Sequence, residues 1–451
     1  MKTAIFWLKN RALRKTAMLQ YERAILSDNL SDVDLKELNW EKRRAIVTHA
    51  YNHSVFYKRF YDEHNFDPLM LQSEDDWSKV PVLEKEYVRM FREEIRDVSV
   101  PSKYIGIATT GGSTGIPLKV YTDKRFNFEI LGWRAFRWWG ISPADNVGII
   151  HRSVPSSFWA KVINRSIWWP TQRAYLNASS MTVEDIRMFV DQIKNKHVKW
   201  IVGYMGGIER VADYILANNI YINSVSLVWS TSAPLLDFIR IKMEKAFRCD
   251  VMDQYGCNEV PHIAVQCPQC NELHVHSDYV HVDIVDEKNR LCKVGEYGDI
   301  LVTNLEGRTF PLIKYRLGDK SKFSPNKCPC GRPYPLLKPI SGRTADSVLT
   351  PSGVILESMY LTTIFDDYTD YVRNFRIHQK KDYSVVVYVV LEKTMQNKGL
   401  KVLEIIKKTL SEKVREEIPV VIECVDELND DRGKNRYIIS EIALELKDIH
   451  K

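Results

Sequence analysis

The sequence predicts an α/β protein: a large N-terminal domain of parallel α/β sheets, a small β subdomain, and a mobile C-terminal α+β lid. Three observations carry this. Between residues 126 and 255, short apolar strands alternate with helical stretches of ten or more residues, the pattern of parallel sheets. From Val275 to Phe323 the pattern turns to short alternating strands rich in Val, Ile and Thr, which suits an antiparallel sheet or small barrel. Beyond Gly342 and Arg343, two strands, a helix and a strand fill about 110 residues, enough for a small α+β domain. The expected division is 1–342, with a β subdomain and cysteine knuckles over 257–341, and 343–451, with a hinge near Arg343 to Asp346.

Taken in order, residues 1–60 have helical spacing, strongest over Trp40–Ser54. Pro81-Val82-Leu83 followed by Glu84-Lys85-Glu86 reads as a helix start. Lys119–Thr122 should be a strand, and Phe126–Gly140 an amphipathic helix. Strands are expected at 146–150, 200–204, 226–232 and 250–255, with helices at 183–196, 208–218 and 236–247 between them. Val280–Val285 and Asp299–Thr303 alternate as strands. Strands at 372–378, 383–391 and 420–425 and a helix at 401–417 complete the lid.

The chain has 451 residues, 45% hydrophobic and 27% charged, with a net charge of +6. That composition is ordinary for a soluble protein with a sizeable core. The modest positive charge suits an anionic small molecule such as a nucleotide. Lys and Arg are dispersed rather than gathered on one stretch, which argues against a nucleic-acid-binding protein, the competing class that the cysteines suggest. No apolar run is long enough to span a bilayer. Ala4–Leu8 is too short for a signal peptide, so a cytoplasmic location is expected. Ile5, Phe6, Trp7 and Leu8 beside five basic residues suit weak peripheral contact with an anionic membrane; capping of the domain is the alternative use.

Thr109-Thr110-Gly111-Gly112-Ser113-Thr114-Gly115 packs three glycines and four hydroxyl residues into seven positions. Glycine permits backbone angles that turn successive N–H groups into a concave nest, and such a nest suits a polyphosphate. No Gly-Lys-Ser/Thr closes it, so it is not a Walker loop; a flexible Gly/Ser turn is the alternative. Lys119 stands just beyond it.

Among eight cysteines, Cys267 and Cys270 form one close pair and Cys328 and Cys330 another, with 57 residues between the pairs. Four thiolates so arranged suit a structural tetrahedral zinc ion, with His262, His274 or His276 able to replace one of them; disulfide pairing is the alternative. The aromatic set Trp133, Trp138, Trp139, Phe158, Trp159, Trp168 and Trp169 either lines an acyl pocket or fills the core.

Five blocks stand in order: the glycine loop, Tyr255-Gly256-Cys257-Asn258-Glu259, Tyr315-Arg316-Leu317-Gly318-Asp319, Gly342-Arg343-Thr344-Ala345-Asp346 and Arg432-Gly433-Lys434-Asn435-Arg436. Together they resemble the adenylate-forming enzymes, in the branch of phenylacetate–CoA ligases and CapK-like capsular polysaccharide proteins. The resemblance runs from about Arg43 to the C-terminus. It implies an ATP-dependent ligase that activates a carboxylic acid as an acyl-adenylate. The acyl group then passes to CoA or to another thiol, amine or sugar acceptor, with surface polysaccharide biosynthesis as one setting. An adenylyltransferase that stops at the AMP adduct is the variant within the branch, and a scaffold that has lost activity is a further alternative.

Thr110, Gly111, Gly112, Ser113, Thr114 and Gly115 would then hold the β- and γ-phosphates. Ser232, Ala233 and Pro234 would line the adenine side, where Tyr255 and Gly256 would also lie. Glu259 suits Mg2+, since a hard cation prefers carboxylate oxygen. Asn258 stands where the family has Thr, which leaves its phosphate contact open. Asp319 suits the two ribose hydroxyls, and Arg343 the ribose or a phosphate. Lys434 would swing in from the lid to bridge the carboxylate and the α-phosphate. The cofactors implied are ATP/AMP, Mg2+, structural Zn2+ and CoA. The acid itself, the acceptor and the oligomeric state are not legible.

Overall fold

The computed structural model describes residues 1–110, 118–178, 181–232, 235, 237–340, 347–357, 360–361, 363–368, 371–391, 396–426, 428 and 438–442. It divides into two compact units, one built from Met1–Ala108 and Val120–Ile340 and the other from the remainder.

The first unit opens with four helices, α1 (Lys2–Leu13), α2 (Lys15–Ser27), α3 (Asp32–His53) and α4 (Val55–Glu63). The expected helix at 40–54 is the last part of α3, which starts earlier because the Ser31 hydroxyl accepts from the Asp34 N–H and caps it. Three short helices follow, α5 (Glu74–Ser78), α6 (Lys85–Met90) and α7 (Arg92–Ile95), then a ribbon of β1 (Ile105–Thr110) and β2 (Leu118–Asp123).

Beyond it come α8 (Glu129–Trp138), β3 (Val147–His151), α9 (Phe158–Trp168), β4 (Arg173–Asn177), α10 (Val183–Asn195), β5 (Trp200–Tyr204), α11 (Met205–Ala217), β6 (Leu227–Thr231), α12 (Asp237–Phe247) and β7 (Asp250–Tyr255). The five strands lie in the order β7-β6-β5-β3-β4, all parallel. The order reverses after β3, so the strand ends around it form the edge where an open α/β sheet accepts a ligand. Phe189, Ile201, Ile208 and Met243 pack α10, α11 and α12 on one core. Trp133, Phe136, Leu227 and Trp229 belong to a second core with α8, α1 and α2.

Three antiparallel strands extend the sheet beyond β7: β8 (Ala264–Cys267), β9 (Cys270–Val275) and, last, β13 (Leu336–Leu337). Between them in the chain, β10 (Val280–Val285), β11 (Gly298–Asn304) and β12 (Tyr315–Ser321) form an antiparallel sheet, as the alternation from 275 onward predicts.

In the second unit, β14 (Ser347–Leu349) pairs with β15 (Ile355–Glu357). A mixed sheet in the order β18-β17-β16-β19 combines β16 (Val372–Gln379), β17 (Val385–Leu391), β18 (Val420–Cys424) and β19 (Ile438–Ser440). Helix α13 (Gln396–Lys413) supplies Ile406 and Leu410 to a core shared with Phe375 and Val387. This is the α+β composition expected after residue 343.

Candidate nucleotide and acyl site, with a cysteine–histidine cluster

Strand β7 ends at Tyr255, and a tight turn follows. The Cys257 N–H donates to the Val260 carbonyl at 3.1 Å, and the Val260 N–H returns to Cys257 Sγ at 3.4 Å. Gly256 allows this path, because a Cβ there would lie 2.7 Å from the His262 backbone nitrogen. The turn brings two distant motifs together. The Tyr255 hydroxyl donates to Asp319 Oδ2 at 3.0 Å. Asp319 is set by Gly318, whose φ of +86° is costly for any other residue. On the same strand, the Tyr315 hydroxyl donates to Glu259 Oε1 at 3.4 Å.

Glu259 is 8% exposed, and Lys85 Nζ stands 3.9 Å from the same oxygen. Lys85 reaches it because Leu83 lies along β12: the Leu83 N–H donates to the Lys314 carbonyl at 3.2 Å, and the Arg316 N–H to the Leu83 carbonyl at 3.0 Å. Burial and the nearby Glu259 carboxylate push the Cys257 thiol well up, so it stays protonated, and the same two causes hold Tyr315 in its phenol form. A buried carboxylate facing one ammonium is a poised ligand for a hard cation. Lys85 was legible only as part of a helix start.

At the strand ends, His151 and Tyr204 were not singled out from sequence, whereas Ser232 was. At the end of β3, His151 Nδ1 accepts the Ser153 N–H at 3.0 Å, and His151 Nε2 lies 2.7 Å from the Tyr204 hydroxyl at the end of β5. Burial holds this imidazole below its ordinary pKa. Ser232, at the end of β6, has φ +79°, a strained conformation of the kind that clusters at functional sites. The one sequence signal of His151 and Tyr204 is position, at the ends of predicted strands.

A cavity of about 210 Å³ lies between α8 and the sheet, lined by Trp133, Phe136, Trp168, Trp200, Trp229 and His262 among others. Gly132 opens it: a Cβ there would meet the Trp229 ring at 2.9 Å. His262 is pushed down to about 4 by burial and is therefore neutral. The aromatic set thus splits three ways. Trp133 and Trp168 line the cavity. Trp138 packs against His274 and Tyr334, with ring centroids at 5.6 and 5.8 Å, and Trp139 Nε1 donates to the Gln266 carbonyl at 2.9 Å. Phe158, Trp159 and Trp169 are exposed.

The cysteine pairs converge on the β8–β9 hairpin. Cys328 Sγ lies 3.5 Å from Cys267 Sγ and 3.3 Å from Cys270 Sγ, and Cys330 Sγ lies 3.6 Å from His274 Nε2. All eight cysteines are free thiols in this structure. The ligand atoms of Cys267, His274, Cys328 and Cys330 all lie within 4.8 Å of one another. A tetrahedron with arms of about 2.3 Å has edges of about 3.8 Å, so the donor set fits a zinc ion in size and chemistry. His274 belongs to this set, and Cys270, 3.3 Å from Cys328 Sγ, lies beside it with its thiol 3.7 Å from the Glu272 carbonyl.

The hairpin is tied to the helices by Arg134, fully buried, which donates to Asp278 at 2.5 and 3.1 Å and to the Tyr334 oxygen at 2.8 Å.

Gly111, Gly112, Ser113, Thr114, Gly115, Ala233, Pro234, Arg343 and Lys434 lie outside the described residues. Thr110 ends β1.

Residues 348–441 match the model of the CapK C-terminal domain. Protein CapK of Staphylococcus aureus is 23% identical over 79% of this chain and 79% of its own length. A phenylacetate–coenzyme A ligase of Thermus thermophilus is 22% identical over 70% of this chain and 72% of its own. Among solved structures, 2-hydroxyisobutyryl-CoA ligase, in complex with 2-HIB-AMP and CoA in the thioesterification state, aligns with a TM-score of 0.64 at 19% identity, covering 94% of both chains. The chain has the adenylate-forming ligase fold. It is a relative of the phenylacetate–CoA ligases and CapK, as the five blocks implied.

Proposed function

We propose that the protein is an ATP-dependent ligase that activates a carboxylic acid as its acyl-adenylate and passes the acyl group to CoA. The observation that carries this reading is the meeting of two blocks 64 residues apart: Tyr255 on Asp319, and beside it Tyr315 and Lys85 on the buried Glu259. The relatives by sequence are named as CoA ligases and as CapK, which supports the same chemistry.

Asp319, oriented by Tyr255, accepts the ribose hydroxyls. The Gly111–Gly115 loop holds the β- and γ-phosphates, and the Ser232–Pro234 segment lines the adenine. Glu259 is the residue that would hold Mg2+, which when bound offsets negative charge on the phosphates. Lys85 balances that carboxylate until the nucleotide arrives. The cavity beside Trp229 and His262 takes the acid's non-reacting part: its aromatic walls favour a small apolar or aryl group, and neutral His262 adds no charge. Lys434, brought by the second unit, stabilises charge as it develops at the α-phosphate. Residues 343–451 serve as the lid.

A zinc ion on Cys267, His274, Cys328 and Cys330 would be structural, holding the β8–β9 hairpin to the loop before β13. We place the protein in the cytoplasm, where CoA and ATP are available, with surface polysaccharide assembly as the setting suggested by the CapK relative. The test is pyrophosphate release from ATP across a panel of aryl, short branched and sugar acids, followed by thioester formation with CoA. Pyrophosphate release without thioester would favour the adenylyltransferase variant; neither product with any acid would overturn the proposal.

A further inference from the structure

Helix α9 is built inside out. It contains Phe158, Trp159, Val162, Ile163 and Ile167, yet none of its residues is buried. Phe158 and Trp159 are each 71% exposed and Ile163 57%. The side that faces the protein carries instead Asn164, which accepts the Tyr175 hydroxyl at 2.5 Å, and Trp168, against the Arg173 guanidinium at 3.4 Å. An amphipathic helix of a globular protein turns its apolar stripe inward. This one, capped at Ser157 and therefore a defined helix, turns it to solvent. Exposed contiguous apolar surface of this kind marks an interaction site.

Helix α1 continues the face. Lys9 Nζ donates to the carbonyls of Ile167 and Trp169 at 2.5 and 2.9 Å, fixing α1 against the end of α9. Leu8 and Leu13 of α1 are exposed as well. The charge carried by these helices is predominantly basic. Residues 1–21 and 146–183, which hold α1 and α9, contain nine Lys and Arg and no Asp or Glu; Arg11 and Arg14 pair with Glu22 and Glu129 from outside these segments. Lys161 and Arg165 flank the apolar stripe on α9 itself, and both are exposed.

We propose that α9 and α1 form a peripheral docking face for an anionic lipid bilayer, with Phe158, Trp159, Val162 and Ile163 entering the headgroup boundary and the surrounding cations meeting lipid charge. Tryptophan and phenylalanine on one face with Lys and Arg beside them is the composition that lies in a membrane interface. The charge pattern decides between occupants. A second copy of this chain would bring the same cations, Lys161 and Arg165 among them, to the contact, whereas an anionic bilayer neutralises them. No described helix is long and apolar enough to cross a membrane, so contact would be peripheral and reversible. Phe6 of α1 and Trp168 of α9 also line the 210 Å³ cavity, so docking would set that cavity close to the lipid surface.

The test uses the full chain and vesicles of phosphatidylcholine with or without 30 mol% phosphatidylglycerol, read by co-sedimentation. Wild type should partition at least about tenfold more strongly to the anionic vesicles, and salt near 0.5 M should remove most of that excess. Lys161→Gln with Arg165→Gln should weaken partitioning about 30-fold, from about 1 kcal/mol per cation. Trp159→Ser with Ile163→Ser should abolish it while the thermal midpoint stays within about 2 °C, because both side chains are exposed. Equal partitioning to both vesicles, no partitioning to either, or a solution dimer that Trp159→Ser with Ile163→Ser splits while wild type ignores vesicles would each overturn the proposal.

Discussion

Asp319→Ala tests the nucleotide site where two motifs touch. The carboxylate accepts the Tyr255 hydroxyl on Oδ2 at 3.0 Å, and the two oxygens of a carboxylate together offer several acceptor positions. A hydrogen bond to a charged group contributes about 1.5–3 kcal/mol. Losing one ribose bond should weaken ATP binding by at least about tenfold, and losing both by several hundredfold. Tyr255→Phe keeps the carboxylate and loses only its orientation, a neutral-donor effect of about 0.5–1.5 kcal/mol, or roughly two- to tenfold. Calorimetric titration with a non-hydrolysable ATP analogue reads both. The 2′-deoxy analogue completes a double-mutant cycle: it should bind wild type more weakly than the ribo form, but Asp319→Ala should bind the two forms alike. Unchanged ribo affinity in Asp319→Ala, or the same deoxy penalty in both proteins, would refute the ribose assignment.

Purified protein should hold about one zinc per chain by elemental analysis. Cys328→Ser and His274→Ala should each lose it and lower the thermal midpoint, whereas Cys270→Ser should keep most of it; retention of zinc in His274→Ala would restore the four-cysteine set. Burial raises the Asp253 carboxyl from 3.8 to about 6, so the folded state holds its proton more tightly than the unfolded chain. Its stability contribution is therefore full below pH 3.8 and declines as pH rises through 6, by about 3 kcal/mol at 1.36 kcal/mol per unit. Asp253→Asn should be more stable than wild type at pH 8 and equal to it near pH 3.5 in urea melts; a constant difference across that range would contradict the cause. Lys434→Ala should slow adenylation by about 10²–10³ with ATP affinity nearly unchanged, and a transfer half-reaction started from pre-formed acyl-adenylate should largely survive; equal losses in both halves would make Lys434 structural.

Much of the fold was readable because burial imposes period on sequence. The run Trp200–Tyr204 is buried or half-buried on both faces, so it is apolar throughout, and it is a parallel strand. Strand order was not readable, since β3 sits between β4 and β5 through pairings that no local pattern encodes. Helix α9 escaped for a physical reason: its apolar residues face solvent, so they read as core or pocket rather than as surface.

The site divides the same way. Spacing brought out the cysteine pairs, and the resemblance of the five blocks brought out the glutamate and the aspartate, but only the folded chain shows Tyr255 on Asp319, Lys85 beside Glu259, or His274 among the thiols. Those three depend on β12 crossing beside β7 and on the β8–β9 hairpin, contacts made across 50 residues or more.

The most direct measurement of the central claim is acid-dependent exchange of labelled pyrophosphate into ATP, run on wild type and Glu259→Gln. Wild type should catalyse exchange only when a suitable small carboxylic acid is present, and CoA should then drain the adenylate to thioester. Glu259→Gln should lose exchange by at least about 10². Exchange that ignores the acid, or full exchange in Glu259→Gln, would contradict the account.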